Sequence, residues 1–179
     1  NGVSGPCILR LSSYAARHLS EQSYQAPLVM NWLGDTTEDE AQDLLHTMAR
    51  ENAQKQVCNT HPGQFTSRHW EFLVSRAGIG REVRWSGVGR KQMNRLASVL
   101  TSDRYQITGR VPHKEEFVTA GGVSLRSVDS NTLECKSRPG LYFAGEVLDV
   151  DGVTGGFNLQ AAWTMADAVA RAVADRFNG

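Results

Sequence analysis

Residues 145–163 read GEVLDVDGVTGGFNLQAAW and follow the apolar run Leu141-Tyr142-Phe143-Ala144. That run does not alternate, which predicts a strand buried on both faces, as in a parallel sheet covered by helices. Gly145 at its C-terminal end lets a ligand approach the backbone, and Glu146 presents a carboxylate there. In open α/β sheets, ligands bind in the crevice beyond the carboxyl ends of the strands. Thr154-Gly155-Gly156 leads into an Ala-rich helix expected over about 157–177, whose first N–H groups and positive dipole end suit an anion. Its inward stripe is read as Leu159, Ala162, Ala166, Val169, Val173 and Phe177. A carboxylate for a polyol hydroxyl, a few residues ahead of an anion-holding helix start, fits a nucleotide cofactor. One charged hydrogen bond of this sort contributes roughly 1.5–3 kcal/mol. The same residues also fit a plain strand–turn–helix, with glycines for geometry and acids for solubility. Asp149 and Asp151 either order the loop or touch the cofactor.

Working outward, the preceding stretch reads as strands. Tyr105, Ile107, Gly109 and Val111 alternate, EEFVTAGGVSL holds a second strand broken at Gly121-Gly122, and NTLECKS holds a third before the Pro139-Gly140 turn. Residues 35–102 are helical instead. Thr37-x-x-Glu40 is a capping box ahead of an apolar stripe of Ala41, Leu44, Leu45 and Met48. Residues 66–78 form a second helix stopped by Gly78, and 89–102 a third with Met93, Leu96 and Leu100 inward. Ahead of them lie a helix with Ser4 as N-cap and Pro6 in its first turn, then a strand over 25–33 with Leu28, Met30 and Trp32 on one face.

The bulk numbers narrow the class. The chain has 179 residues, enough to bury a core. Nineteen basic and nineteen acidic residues cancel, so no global field draws nucleic acid or an anionic membrane; neither is expected as a partner. Cys7, Cys58 and Cys135 are odd in number and scattered, which reads as reduced cytoplasmic usage. No apolar run reaches the ~20 residues of a membrane span. The N-terminus lacks a signal-peptide pattern and an initiator Met, and is read as belonging to a piece of a longer chain.

EEFVTAGGVSL and GLYFAGEVLDVDGVTGGFNLQAAW closely resemble the C-terminal signature of the YhiN/BaiN-like (HI-type) conserved flavoproteins, and GVSGPCILRLSSY resembles the segment opening that family's insert domain. The resemblance is dense over 113–163 and sparse over 35–102. It implies a fold of mixed α+β and α/β type: a glutathione-reductase-like FAD domain interrupted by a β-barrel with a helical subdomain. By resemblance the barrel begins in 1–34, the helical subdomain spans 35–104, barrel return strands and crossover occupy 105–122, and 123–179 closes the FAD domain. It also implies that Gly145 and Glu146 meet the FAD ribityl chain, that Gly155, Gly156, Asn158 and Leu159 face the cofactor, and that Thr119, Gly121 and Gly122 form the crossover. No Gly-x-Gly-x-x-Gly follows an early strand, and that fingerprint holds the pyrophosphate. The chain is therefore expected to lack the N-terminal half of the FAD domain, its missing partner, and to bind FAD weakly or not at all by itself.

The implied activity is flavin-dependent oxidoreduction, with hydride from NAD(P)H passed to an unidentified small organic substrate and the insert shaping its pocket. The rival reading is a non-enzymatic partner-binding module with an incomplete cofactor motif and an exposed apolar or basic surface over 66–100. Other chemistry is thinner. Cys58, His61 and His69 match no zinc spacing, and no metal is expected. Arg81, Arg84, Arg90, Lys91 and Arg95 cluster around Trp85 and read as a solvated helical face; a nucleic-acid patch, which the neutral overall charge argues against, an acidic-substrate site and a site for the NADP phosphate are the alternatives. His113, beside Lys114, Glu115 and Glu116, would suit general acid catalysis if it faced the substrate; a polar strand entry is the preferred reading.

Overall fold

The computed structural model describes residues 2–110, 118–153 and 155–178. Its elements are α1 (Pro6–Glu21), β1 (Ala26–Met30), α2 (Glu38–Glu51), α3 (Ser67–Arg76), α4 (Arg90–Ser102), β2 (Asp103–Ile107) and α5 (Phe157–Asn178). The chain divides into two compact units, a helical unit of residues 26–107 and a discontinuous unit of residues 1–25 with 108–179.

The helical unit opens and closes on one ladder. β1 runs antiparallel to β2 with Ala26 opposite Ile107 and Met30 opposite Asp103, so the chain enters and leaves the unit at adjacent strand ends. Ala26 and Leu28 are buried on one face. β1 ends before the predicted residue 33 because Asn31 starts a turn: its Oδ1 accepts from the Leu33 N–H at 2.9 Å and its Nδ2 donates to Thr36 O at 2.9 Å.

Each helix of this unit starts where its sequence signals a cap. Thr37 Oγ1 accepts from the Glu40 N–H while the Glu40 carboxylate accepts from the Thr37 N–H, the reciprocal box expected. Those bonds hold the Glu40 carboxyl below its usual range, the Thr37 backbone N–H contributing most. Thr66 caps α3, and Gly89 precedes α4, its N–H donating to Gln92 Oε1 at 3.2 Å. The core gathers Leu45 from α2, Trp70, Leu73 and Val74 from α3, and Met93, Leu96 and Leu100 from α4. Burying each such aliphatic side chain contributes about 1.5–3 kcal/mol. Trp70 is fully enclosed, and its indole N–H donates to Val57 O at 2.7 Å.

A buried carboxylate fixes the ladder end of this core. Asp103 accepts from Arg76 Nε at 3.0 Å, Trp32 Nε1 at 3.1 Å and the Tyr105 hydroxyl at 2.5 Å. The ion pair raises the Arg76 pKa. Burial, reinforced by the hydrogen bond to Asp103, pushes the Tyr105 hydroxyl up to about 12.

The discontinuous unit is thinner. The N-cap of α1 is Gly5, at φ 118, rather than the expected Ser4: Pro6 occupies the first helical position and sets the helix start one residue later. Neither α1 nor α5 carries a buried residue. Val128, Leu133 and Leu148 form the buried cluster, with Phe143, Met165 and Val169 packed against it. Strand character among the described residues of this unit is confined to single bridges, including Val123 with Leu148 and Glu134 with Tyr142.

Two expectations change here. Leu141 is 39% exposed and Ala144 is exposed, so the run 141–144 is not a strand buried on both faces. Pro139-Gly140 and a 3-10 turn at Gly145–Val147 bracket it, leaving room for one bridge and no ladder. On α5, the predicted Ala162, Val169 and Val173 are half-buried, whereas Leu159, Ala166 and Phe177 are exposed, and the half-buried side also takes in Asn158, Ala161, Met165, Ala168 and Ala172. The inward stripe is therefore turned by less than a residue, with Met165, Ala168 and Val169 meeting the Leu148 cluster. The expected strand over 115–125 lies partly outside the described residues, as does Val111.

Candidate functional site

The 3-10 turn Gly145–Val147 positions the first predicted pair. Gly145 adopts φ 80, a conformation that favours glycine, and its N–H points at Met165 Sδ, 3.3 Å away on α5. Next to it, the Glu146 Oε1 accepts a hydrogen bond from the Thr119 N–H at 2.8 Å. Residues 27 positions apart are thereby joined by one carboxylate oxygen, and the other oxygen has no partner among the described residues.

This arrangement closes a cleft of about 180 Å³. Gly145, Glu146 and Val118 form one wall, and Asn158, Ala162 and Met165 of α5 face them. Small side chains on α5 make the cleft narrow and largely apolar, while Glu146 supplies a polar rim. Val118 also borders a second cleft of about 450 Å³, together with Thr119, Ala120 and Arg17 of α1. Arg17 binds the Asp149 carboxylate and reaches Asp151 at 4.0 Å. Of the two roles open to these aspartates, the loop-ordering one therefore has a visible partner.

Asn158 reaches the cleft but directs its amide elsewhere. Its Oδ1 accepts from the Gly152 N–H at 2.6 Å and its Nδ2 donates to Gly152 O at 3.0 Å. Gly152 sits tightly against this residue: an added Cβ would lie 3.1 Å from both Asn158 Oδ1 and Phe157 Cβ. Leu159 borders the cleft while largely exposed. Gly155 and Gly156 are exposed at φ 142 and φ 88 and do not line it.

Gly121 and Gly122 act one step back. A Cβ on Gly122 would lie 2.6 Å from Val147 O and 2.7 Å from the Leu148 carbonyl carbon. The neighbouring bonds, Val123 N–H to Val147 O and Asp149 N–H to Val123 O, are both 2.9 Å. Gly122 thus lets the crossover backbone lie against the residues that follow Glu146. A polyol-bearing cofactor fits the free Glu146 oxygen and the glycine-lined turn. The Asn158 amide adds no donor to it.

The remaining candidates separate from this site. Cys58 is buried, with its thiol donating to Arg81 O at 3.2 Å and its pKa raised chiefly by burial. His61 contacts Pro62 O and Ser67 Oγ, and His69 packs edge-on against Trp32 and Phe65. Arg81, Arg84, Arg90, Lys91 and Arg95 are exposed around a buried Trp85. His113, Lys114, Glu115, Glu116 and Thr154 lie outside the described residues. Sequence reading missed Arg17, Val118 and Met165. Arg17 is one cation on an unremarkable helix face, and only the folded chain brings it to Asp149.

The profile of the HI0933-like protein Rossmann domain matches residues 32–172. The chain belongs to that family. This HI0933-like chain is 32% identical over 178 residues to the ribosomal RNA dihydrouridine synthase of Escherichia coli, covering 95% of this chain and 40% of that protein. It is 28% identical over 172 residues to the Haemophilus influenzae protein of the same name, again covering 40% of the relative. A 3-dehydro-bile acid delta(4,6)-reductase of Clostridium scindens is 49% identical over 59 residues, which cover 33% of this chain and 14% of that protein. The chain thus spans well under half the length of the curated relatives it matches. None of its helices, among the described residues, is long and apolar enough to cross a membrane.

Proposed function

We propose that this HI0933-like chain is part of a flavin-dependent reductase that adds hydrogen across a ring carbon–carbon double bond of uridine in ribosomal RNA. The names of the relatives point the same way chemically: dihydrouridine is uridine with that bond reduced, and a delta(4,6)-reductase also reduces ring double bonds. The likeness to the dihydrouridine synthases runs along 95% of the chain, helical unit included, whereas the likeness to the bile-acid reductase covers 33%. Substrate choice depends on the whole surface around the reacting atoms, so the longer likeness weighs more. Zero net charge led to the expectation of no nucleic-acid partner. The proposal departs from that expectation; the chain spans 40% of the Escherichia coli relative, so its charge balance is that of this stretch alone.

The carrying observation is the Glu146–Thr119 hydrogen bond and the narrow cleft it closes. Bound FAD would supply hydride transfer from NAD(P)H. Glu146 would accept a ribityl hydroxyl through its unpaired oxygen, and Gly145 would let the cofactor approach the backbone. Val118, Ala162 and Met165 would exclude water from that edge. A glutathione-reductase-like cofactor domain carrying a barrel, and residence in the cytoplasm, belong to the same proposal.

The test uses the full-length protein that contains this chain. Visible absorbance reads flavin content, and mass spectrometry of nucleosides from treated ribosomal RNA reads uridine that has gained two hydrogens. Wild type should be yellow and produce dihydrouridine, and Glu146→Ala should lose most of its flavin. A colourless wild type would sink the flavin reading. It would bring forward a partner-binding module, for which the exposed Phe72 and the cations of residues 68–95 are the matching surface.

A further inference from the structure

The helical unit carries a cleft of its own, of about 510 Å³, lined by residues of α2 and the start of α4. Gln42 and His46 line it from α2, Arg90, Met93 and Asn94 from α4, and Trp85 from the 3-10 turn before α4. No carboxylate is among its described lining residues, and Arg90 is the charged one. Its volume lies within the usual range for small-ligand sites.

Trp85 makes this cleft more than a surface hollow. It is 2% exposed, and its indole Nε1–H is buried without an acceptor among the described residues. Buried donors are almost always paired, so an orphan asks for an explanation. Local rearrangement does not offer one easily. The Trp85 N–H donates to Lys55 O at 3.1 Å, and its own carbonyl accepts from the Val88 N–H at 3.2 Å, which pins the backbone under the ring. His46 and Asn94 line the same cleft, are exposed, and have side chains with no hydrogen-bond partner among the described residues, which leaves their polar groups available to a ligand. Arg90, at the first position of α4, is likewise exposed and unpaired, with Lys91 beside it and the positive end of the helix dipole behind it.

We infer that this cleft is a nucleotide-binding subsite, and, resting on the proposed RNA substrate, that it holds a nucleotide of the RNA strand. The residues match the parts of such a ligand. Trp85 Nε1–H meets a base carbonyl, Gln42 and Asn94 read the base edge, Met93 and Val88 contact its apolar ring, and Arg90 with the α4 start takes the phosphate. Unpaired RNA bases are recognised in this way, by apolar contact and hydrogen bonds to their edges, while guanidinium groups neutralise the backbone.

The experiment measures binding of a fluorescein-labelled single-stranded oligouridylate to the full-length protein by anisotropy across a salt series. Variants are Arg90→Gln, Asn94→Ala and Trp85→Phe, with the KM for NADPH measured in parallel. Arg90→Gln is expected to weaken RNA binding about tenfold and to reduce the slope of log affinity against log salt by about 0.7, one phosphate contact fewer on a single strand. Trp85→Phe is expected to weaken binding with the salt slope unchanged. Because Trp85 is buried, the exposed Arg90 and Asn94 variants keep the test decisive if that variant unfolds. An RNA affinity unmoved by Arg90→Gln and Asn94→Ala, with NADPH KM also unmoved, overturns the subsite. A raised NADPH KM with unchanged RNA affinity keeps a nucleotide site and overturns RNA as its source. Anisotropy needs no turnover, so a wild type that binds RNA through this cleft yet makes no dihydrouridine sinks the proposed reaction alone.

Discussion

The helical unit and the discontinuous unit spend their apolar residues differently. Among the described residues the first encloses fifteen in one cluster, whereas the second encloses three. Tyr14 on α1 is 74% exposed, and Trp163 on α5 is 71% exposed. Core and caps make the helical unit self-sufficient in what it buries, so its shape is set internally. The discontinuous unit holds the candidate cofactor cleft on backbone contacts, glycines and one carboxylate bond, with little core behind them.

The largest expected effect breaks the comparison at its strongest point. Trp70→Ala removes a fully enclosed ring and the acceptor-bound N–H, and is expected to cost about 3–5 kcal/mol. Trp163→Ala, the same change on α5, should stay within about 0.5 kcal/mol. Urea denaturation of the full-length protein reads both. Equal losses would show that α5 is covered in the complete protein and that the contrast belongs to the piece alone.

Gly122→Ala comes next and probes the thin unit through its backbone. A methyl group 2.6 Å from Val147 O forces residues 122–123 away from 147–149, at a cost of about 1–3 kcal/mol. Flavin content should fall with it, since the displaced residues 147–149 follow directly on Glu146. Unchanged stability and colour would mean that this close approach does not hold the site.

How much of this was legible in sequence follows the same divide. The capping box at Thr37 and the inward Met93, Leu96 and Leu100 were readable because helix signals are local: a side chain three residues on satisfies a backbone donor, and apolar residues recur each turn. Glu146 was readable as a site residue because its motif is continuous. The contacts that give it geometry were not. Thr119 and Arg17 reach Glu146 and Asp149 across long sequence separations, which no periodicity encodes. The stripe on α5 was right at Ala162, Val169 and Val173 and wrong at Leu159, Ala166 and Phe177, because alanines surround it and composition alone cannot fix which edge of an Ala-rich helix faces inward. Asn158 borders the cleft, yet its amide serves Gly152, which no local signal announces.

A smaller effect tests whether local signals carry weight in the helical unit. Thr37→Ala removes half of the capping box and should cost about 1 kcal/mol. Thermal denaturation should show a modest drop, with Thr37→Ser restoring most of it. No drop would assign the stability of α2 wholly to its packing.

The smallest effect concerns alkaline pH. Tyr105 titrates near 12 in the folded unit, raised first by burial and then by its bond to Asp103, against about 10 unfolded. Its folded pKa is the higher one, so its contribution to stability is complete below about pH 10 and is lost as pH rises towards 12. Solvent reaches part of the ring, which keeps the change small. Tyr105→Phe should therefore lie below wild type at pH 8, where the hydroxyl bond to Asp103 still counts, and the gap should narrow between pH 10 and 12. A gap constant over that range would mean that the carboxylate at the ladder's end does not hold the phenol protonated, and that Arg76 and Trp32 alone balance Asp103.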